Sequence, residues 1–270
     1  RKGKEKPFFL YVPLGSPHTP IVPTGRWVGM SGLGDYGDFV MQTDHAVGEI
    51  SKALQAQGFS ENTLVIFTSD NGCSKAADIK GLAEQGHKVS GEMRGSKADI
   101  WDGGHRVPFI VRWPGKVTPG SQCSQLICLT DFFRTAVEVL GVQVPSGSCE
   151  DSVSFLPALF GNPIESNRAG VVHHSISGHF AYRSGDWKLL LARGSGGWSS
   201  PKEKDMGADS EEAQLYNLAK DPREQDNLYR QQPDVAKKLL DQLVNDVESG
   251  RSVEGAPSKN DVDKINLWKS

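Results

Sequence analysis

Asp70 and Asn71 stand at the end of an apolar run, Leu64-Val65-Ile66-Phe67, continued by Thr68-Ser69, and Gly72 follows them. A strand ending in Asp-Asn-Gly presents a carboxylate and an amide oxygen at one loop. Both are hard oxygen donors suited to Ca²⁺ or Mg²⁺. In open α/β sheets, ligands collect at the carboxyl ends of strands. The same tripeptide is also a common turn, so the residues alone leave both readings open. Two further segments add chemistry. Ser16-Pro17-His18-Thr19-Pro20 follows the short apolar run Phe8-Phe9-Leu10-Tyr11-Val12, and its prolines set a rigid extended loop. A histidine held there can bind an anion or donate a proton to a leaving group, or it is a solvated loop histidine. Arg94-Gly95-Ser96-Lys97 leads through Gly103-Gly104-His105-Arg106-Val107-Pro108 into the run Phe109-Ile110-Val111. Its glycines permit close backbone approach, and Lys97 brings a point charge suited to an oxyanion; taken singly, it also reads as a solvated lysine.

Other polar residues give weaker signals. His87, in Gly86-His87-Lys88, sits in a glycine-rich segment that could reach a substrate. His173 and His174 follow Val171-Val172 and could line a pocket rim or simply end a strand. His105 reads as structural, and Asp44-His45 as a hydrogen-bonding pair on a helix. Trp198, in Gly196-Gly197-Trp198, could cover part of a cleft or serve packing alone.

The elements that must position these residues follow from periodicity. The first ~160 residues read as α/β, with strands expected over 7–12, 63–68 and 108–113. A helix is expected from Asp38 to Gln57, with Val40, Val47, Ile50 and Leu54 on one face and Gly58 as its stop. Another is expected from Asp131 to Leu140, capped by Thr130 and ended by Gly141. The Pro-, Gly- and Ser-rich stretch 142–167 reads as a linking loop with one helical turn. Beyond it, Val171–His174, His179–Arg183, Asp186–Leu191 and Gln214–Leu218 read as a small antiparallel sheet, with a tight turn at Ser184-Gly185. Pro233 opens a final helix whose Val235, Leu239, Leu243 and Val247 face inward, and a polar, loosely held tail starts at Ser252. The expected division is 1–167, 168–251 and 252–270.

Composition narrows the classes. The chain has 270 residues, is 37% hydrophobic and 23% charged, and carries net charge −3, which suits a globular chain with a sizeable core. The balance gives no support for nucleic-acid or membrane binding, and no apolar run approaches the ~20 residues of a membrane span. Four irregularly spaced cysteines make neither a disulfide scaffold nor a zinc site. A Cys123–Cys149 or Cys128–Cys149 bridge stays open, and the cysteines leave the redox compartment open.

The order of the three chemical segments resembles the formylglycine-dependent sulfatases, the arylsulfatase-like branch of the alkaline phosphatase superfamily. Phe8–Pro20 resembles the family's strand and Pro-His-x-Pro loop, Tyr36–Gly58 its following helix, Asn62–Gly72 its metal strand, and Arg94–Gly115 its Arg-Gly-x-Lys to Trp-Pro-Gly stretch. Asp131–Gly161 is similar to the next conserved stretch. Asp186-Trp187-Lys188-Leu189, Leu215-Tyr216-Asn217-Leu218 and Asp221-Pro222-Arg223-Glu224 through Asn227-Leu228 are similar to its C-terminal subdomain. The resemblance implies an α/β fold with an alkaline-phosphatase-like sheet flanked by helices, partly present, followed by a small antiparallel sheet packed with a helix. It implies that Asp70 and Asn71 are metal ligands, for Ca²⁺ first and Mg²⁺ second, that His18 contacts the sulfate group, and that Lys97 binds a sulfate oxygen and the bridging oxygen. A cation, a lysine and a protonated histidine around the leaving oxygen would stabilise the charge that builds there.

The family's nucleophile is a formylglycine formed from Cys or Ser in Cys/Ser-x-Pro-Ser-Arg, and no stretch of this sequence matches that motif. Its early Asp-Asp metal pair is absent too. The sequence therefore reads as a C-terminal portion, inactive by itself, of a sulfuric ester hydrolase acting on a sulfated small molecule or sulfated glycan. The family resemblance implies a secreted or periplasmic setting. A phosphodiesterase or phosphonate hydrolase of the same superfamily, or a non-catalytic metal- or carbohydrate-binding fragment, stand as alternatives.

Overall fold

The computed structural model describes residues 6–145, 147–166 and 168–269, which form two compact units: 1–60 with 76–87, and 61–75 with 88–270. The second unit takes in residues on both sides of the expected division at 167/168.

The first unit is built on α1, Gly34–Ala56, and includes the short α2, Ile79–Glu84. The helix begins four residues before the expected start at Asp38. Asp38 does not open it but reaches back, accepting from the Gly29 and Ser31 amides at 2.6 and 2.7 Å. The inward stripe is shifted by one residue at its start. Phe39 and Thr43 are buried, Val47, Ile50 and Leu54 are half-buried, and Val40 is exposed. Gly58 ends the helix as expected, at φ +72°. The strand expected over 7–12 is not formed. The segment carries no regular secondary structure, and no strand pairs with it among the described residues. A continuous apolar, aromatic-rich run supplies the propensity for a strand, but the ladder needs a partner. Phe9 and Tyr11 accordingly stay 74% and 76% exposed.

The second unit holds two sheets. β1 (Val65–Thr68) and β2 (Phe109–Arg112) pair antiparallel, Val65 opposite Arg112 and Thr68 opposite Phe109. Between them lie the Asp70-Asn71 loop, the Lys97 segment and the single-turn α3, Asp102–His105. α4 spans Asp131–Leu140 and ends at Gly141, φ +63°. Its start is held differently from expectation. Thr130 makes no capping bond and donates to the Asp151 carbonyl instead. Asp131 does the fastening: it accepts from the Cys128 and Val153 amides, both at 2.9 Å, and pairs with Arg168 at 2.6 and 2.8 Å. The expected helical turn in the linking loop is α5, Leu156–Leu159. No disulfide joins Cys123, Cys128 or Cys149.

The second sheet runs β3 (Val171–His174), β4 (Phe180–Ser184), β5 (Trp187–Leu190) and β6 (Gln214–Asn217), antiparallel and in chain order. The β4–β5 connection is the two-residue turn Gly185-Asp186, with Gly185 at φ +55°, a region open to glycine at little cost. Period-2 alternation sends side chains to two different partners. Tyr182, Leu189, Leu191 and Leu215 pack with Ala236, Leu239 and Leu243 of α6, Pro233–Ser249. Ala181, Leu190, Ala192 and Tyr216 pack with Ile100 and Trp101 of the Lys97 segment. Full burial of each large apolar side chain contributes on the order of 2 kcal/mol, so both faces of this sheet are load-sharing surfaces. The tail is polar for most of its length, yet Leu267 and Trp268 pack against the α6 cluster, and the Ser252 amide donates to Asp151. Two apolar residues near its end suffice to dock it.

Candidate functional site

The Asp70-Asn71 loop and the Lys97 segment meet through the backbone. The Gly72 amide donates to the Gly104 carbonyl at 2.9 Å, and the Lys97 amide donates to the Cys73 carbonyl at 2.8 Å. Gly72 is required at this crossing, because a Cβ there would lie 1.9 Å from the Gly103 oxygen. Gly103 and Gly104 in turn let α3 press against residues 94–99, where added Cβ atoms would fall 2.3 Å from the Gly95 oxygen and 2.7 Å from those of Asp99 and Ser96. The glycine spacing in the sequence was the readable sign of this packing.

Asp70 is exposed and Asn71 half-buried, and the Asn71 amide donates to the Asp70 carboxylate at 2.6 Å. Two adjacent oxygen-bearing side chains suit a hard divalent cation in kind. They fall short in number, since Ca²⁺ takes about six to eight oxygens. Among the described residues no group of three His, Cys, Asp or Glu side chains could hold a metal ion.

Lys97 sits in a tight turn. The Asp99 amide donates to the Ser96 carbonyl at 3.0 Å, and the Asp99 carboxylate accepts from the Ser96 amide at 2.8 Å. Ala98 takes the left-handed conformation, φ +81°. A non-glycine residue there is uncommon and marks a turn held by its surroundings. Asp99 is fully buried, and its other acceptor positions take the Trp198 and Ser199 amides at 2.9 and 2.8 Å.

Beneath the turn lies an ionic network that sequence reasoning did not single out as functional. Lys188 is fully buried on β5, with its Nζ 2.7 Å from Asp102 Oδ1 and 2.9 Å from Glu224 Oε1. Glu224 Oε2 accepts from the Asp102 amide at 2.7 Å, at the start of α3. Arg94 lies 3.7 Å over the Trp101 ring and donates to the Glu224 carbonyl at 2.7 Å. Burial works to raise the Asp102 carboxyl, but Lys188, and after it Arg183, outweigh burial and hold it below its ordinary value. For Glu224 burial wins, and its carboxyl is raised. The signal that could have found this network is a lysine inside the otherwise apolar run Trp187-Lys188-Leu189-Leu190-Leu191, at a strand position whose neighbours are all interior.

The remaining candidates fall elsewhere. His173 and His174 are on β3. The His173 ring lies 4.3 Å from that of His105, and its Nε2 is covered without a hydrogen-bond partner, while His174 packs against Phe180. His105 donates from Nε2 to the Asp99 carbonyl at 2.8 Å, and burial, then Lys188, push its pKa down to about 4. Burial likewise lowers His173 strongly. These rings act as packing around the Lys97 segment. His18 and His87 belong to the first unit and are exposed. His18 Nδ1 bonds the Thr19 carbonyl at 2.8 Å, which leaves Nε2 for an anion or a proton transfer. His87 follows α2, its amide donating to the Leu82 carbonyl. The structure thus brings Asp70, Asn71 and Lys97 onto joined loops.

Comparison with known proteins gives this arrangement a family. The family model described as Sulfatase matches residues 1–142. The chain is 35% identical over 243 residues to an N-acetylgalactosamine-6-O-sulfatase of Bacteroides thetaiotaomicron, covering 89% of this chain and 47% of the relative. It is 36% identical over 159 residues to the human N-acetylgalactosamine-6-sulfatase, covering 59% of this chain and 30% of the relative. To the rat steryl-sulfatase it is 33% identical over 177 residues, covering 64% and 30%. A solved B. thetaiotaomicron sulfatase, titled for glycosaminoglycan metabolism, superposes with a TM-score of 0.76 at 34% identity, over 89% of this chain and 50% of that one. The chain thus spans about half the length, or less, of the relatives it matches. Its structural neighbours have the alkaline-phosphatase-like α/β fold with a small added antiparallel sheet, and the family is typically metal-dependent. No helix among the described residues is long and apolar enough to cross a membrane. The chain belongs to the sulfatase family.

Proposed function

We propose that the full-length protein carrying this chain hydrolyses sulfate esters of glycans, and that this chain supplies one side of the reaction centre. The observation that bears most weight is the joining of the Asp70-Asn71 loop to the Lys97 turn by the Gly72–Gly104 and Lys97–Cys73 backbone bonds. That joining gives two oxygen donors and one ammonium a common, rigid base. Asp70 and Asn71 would hold a divalent cation, Ca²⁺ before Mg²⁺, completed by ligands outside this pair. When bound, the cation supplies Lewis-acid polarisation of a sulfate oxygen. Lys97 neutralises charge on the sulfate and on the leaving oxygen, from a turn whose backbone is fixed before the charge develops. The family resemblance assigns His18 to the sulfate, and its Nε2 is able to bind an anion or give up a proton. The formylglycine nucleophile lies outside this chain in this reading.

The relatives' names favour 6-O-sulfated N-acetylgalactosamine within a glycan as the substrate. The test is sulfate release by the full-length protein from 6-O-sulfated N-acetylgalactosamine, its 4-O-sulfated isomer, a steryl sulfate and a phosphodiester. Release from the 6-O-sulfated sugar above the other three is the expected result. Preference for the phosphodiester would overturn the reaction class, and preference for the steryl sulfate the substrate class. Calorimetry of this chain alone with Ca²⁺ should show binding weaker than micromolar, since two ligands cannot satisfy the ion.

A further inference from the structure

The loop 193–203 is fixed to both halves of the joined base described above. Asp99, two residues from Lys97, accepts from the amides of Trp198 and Ser199 at 2.9 and 2.8 Å and from the Ser199 hydroxyl. Lys75, four residues beyond Asn71, donates from its Nζ to the Trp198 carbonyl. Gly197 passes so close to the turn that a Cβ would lie 2.3 Å from the Ala98 oxygen. The Ile100 amide donates to the Ser195 carbonyl at 2.8 Å. The loop is also fastened internally: Glu203 accepts from the amides of Arg193, Gly194 and Gly196 at 2.8, 2.9 and 3.1 Å, and the Ser195 hydroxyl donates to the Ser199 carbonyl at 2.6 Å. The amides of Gly197, Trp198 and Ser199 and the carbonyls of Trp198 and Ser199 are therefore committed, while Trp198 is 43% exposed.

A large aromatic left in solvent on a loop this constrained is not explained by packing among the described residues. An indole that served the core would be buried, as Trp101 is at 1%. One held still by its backbone, beside a turn whose lysine suits a sulfate, has lost most of its freedom before any ligand arrives. Such preorganisation lowers the cost of binding. The faces of pyranose rings carry C–H groups that pack on aromatic faces, and the polar edges remain free for hydrogen bonds.

We propose that Trp198 is a substrate-binding residue, its indole face packing against a pyranose ring of the sulfated glycan and so fixing the sugar relative to Lys97. This rests on the reading that the substrate is a sulfated sugar, and it adds the group that recognises the sugar and not the sulfate. A contact made equally in the ground and transition states acts mainly on KM.

The experiment uses the full-length protein with 6-O-sulfated N-acetylgalactosamine as substrate and inorganic sulfate as a competing ligand that lacks the sugar. Trp198→Ala should raise KM about tenfold with a much smaller change in kcat. Trp198→Phe should recover most of the loss. The inhibition constant of inorganic sulfate should stay within about twofold in both variants, and the unfolding midpoints should match that of the parent. Unchanged KM in Trp198→Ala overturns the proposal. Parallel weakening of sugar and inorganic sulfate overturns it as well, because that marks a residue that merely holds the Lys97 turn. So does a Trp198→Phe variant as impaired as Trp198→Ala. If the parent protein cleaves no sulfated sugar, the functional reading fails first and this proposal falls with it. Cleavage by the parent with an unaltered Trp198→Ala variant fails this proposal alone.

Discussion

Replacing Lys188 by methionine keeps the aliphatic bulk on β5 and removes the one charge that faces both Asp102 and Glu224. The lysine is fully buried, 2.7 Å from one carboxylate and 2.9 Å from the other. Without it, two carboxylates share an interior site, with Arg183 3.7 Å from Asp102 and Arg94 bonded to the Glu224 carbonyl among the cations still nearby. Removing one partner of a buried ion pair typically costs about 3–5 kcal/mol, which is a large part of the ~5–15 kcal/mol that holds a domain. For a unit of this size the unfolding midpoint should drop by roughly 6–20 °C. In the variant, burial and mutual repulsion raise the two folded-state carboxyl pKa values above those of the unfolded chain. Stability is then gained as pH falls, so the deficit of Lys188→Met should be smaller at pH 5 than at pH 8. Adding Glu224→Gln should recover part of the loss, because a neutral amide leaves no second charge unpaired. Thermal and urea unfolding of parent, single and double variants at both pH values provide the assay. A single variant within about 0.5 kcal/mol of the parent at pH 8, or a double variant that adds the two losses in full, would refute the reasoning.

The buried imidazoles set a second pH response. The His105 pKa is about 4 in the folded chain, pushed down by burial and then by Lys188, against about 6.5 when unfolded. The unfolded chain therefore binds the extra proton first. Stability is complete above pH 6.5 and should fall as pH drops toward 4, by up to about 1.4 kcal/mol per pH unit for this group. His105→Gln should flatten that slope in urea titrations, and an unchanged slope would contradict the assignment. Gly72→Ala places a Cβ 1.9 Å from the Gly103 oxygen, so the two loops must part. Amide exchange of Gly72 and Lys97 should rise by more than tenfold while α6 stays protected. Protection unchanged at both amides would show that the crossing is not needed.

α4, α6 and the second sheet were legible because their patterns are local, whereas the short α2 and α3 were not anticipated. α4 was bounded to the residue by helical spacing and Gly141, and the β4–β5 hairpin by two apolar runs around Gly185. The joining of the two site loops was legible in part, from Gly72 and Gly103-Gly104. What escaped was set by partners distant in the chain. Residues 7–12 have strand composition, and composition cannot supply a ladder. Thr130 stands where a cap belongs, yet Asp131 fastens the helix because Arg168, 37 positions on, meets it. Lys188 and Glu224 were read only as members of family motifs. Only the sheet's alternation, with Leu190 and Tyr216 turned toward Trp101, places them under the Lys97 turn.

The role proposed for Lys97 is to stabilise charge on a sulfate ester. It is tested most directly by the kcat of the full-length protein and its Lys97→Ala variant on 6-O-sulfated N-acetylgalactosamine. Loss of one preorganised charge-stabilising donor should lower kcat by roughly 10²–10³, with the unfolding midpoint unchanged. A Lys97→Ala protein that keeps the parent's kcat would contradict the account.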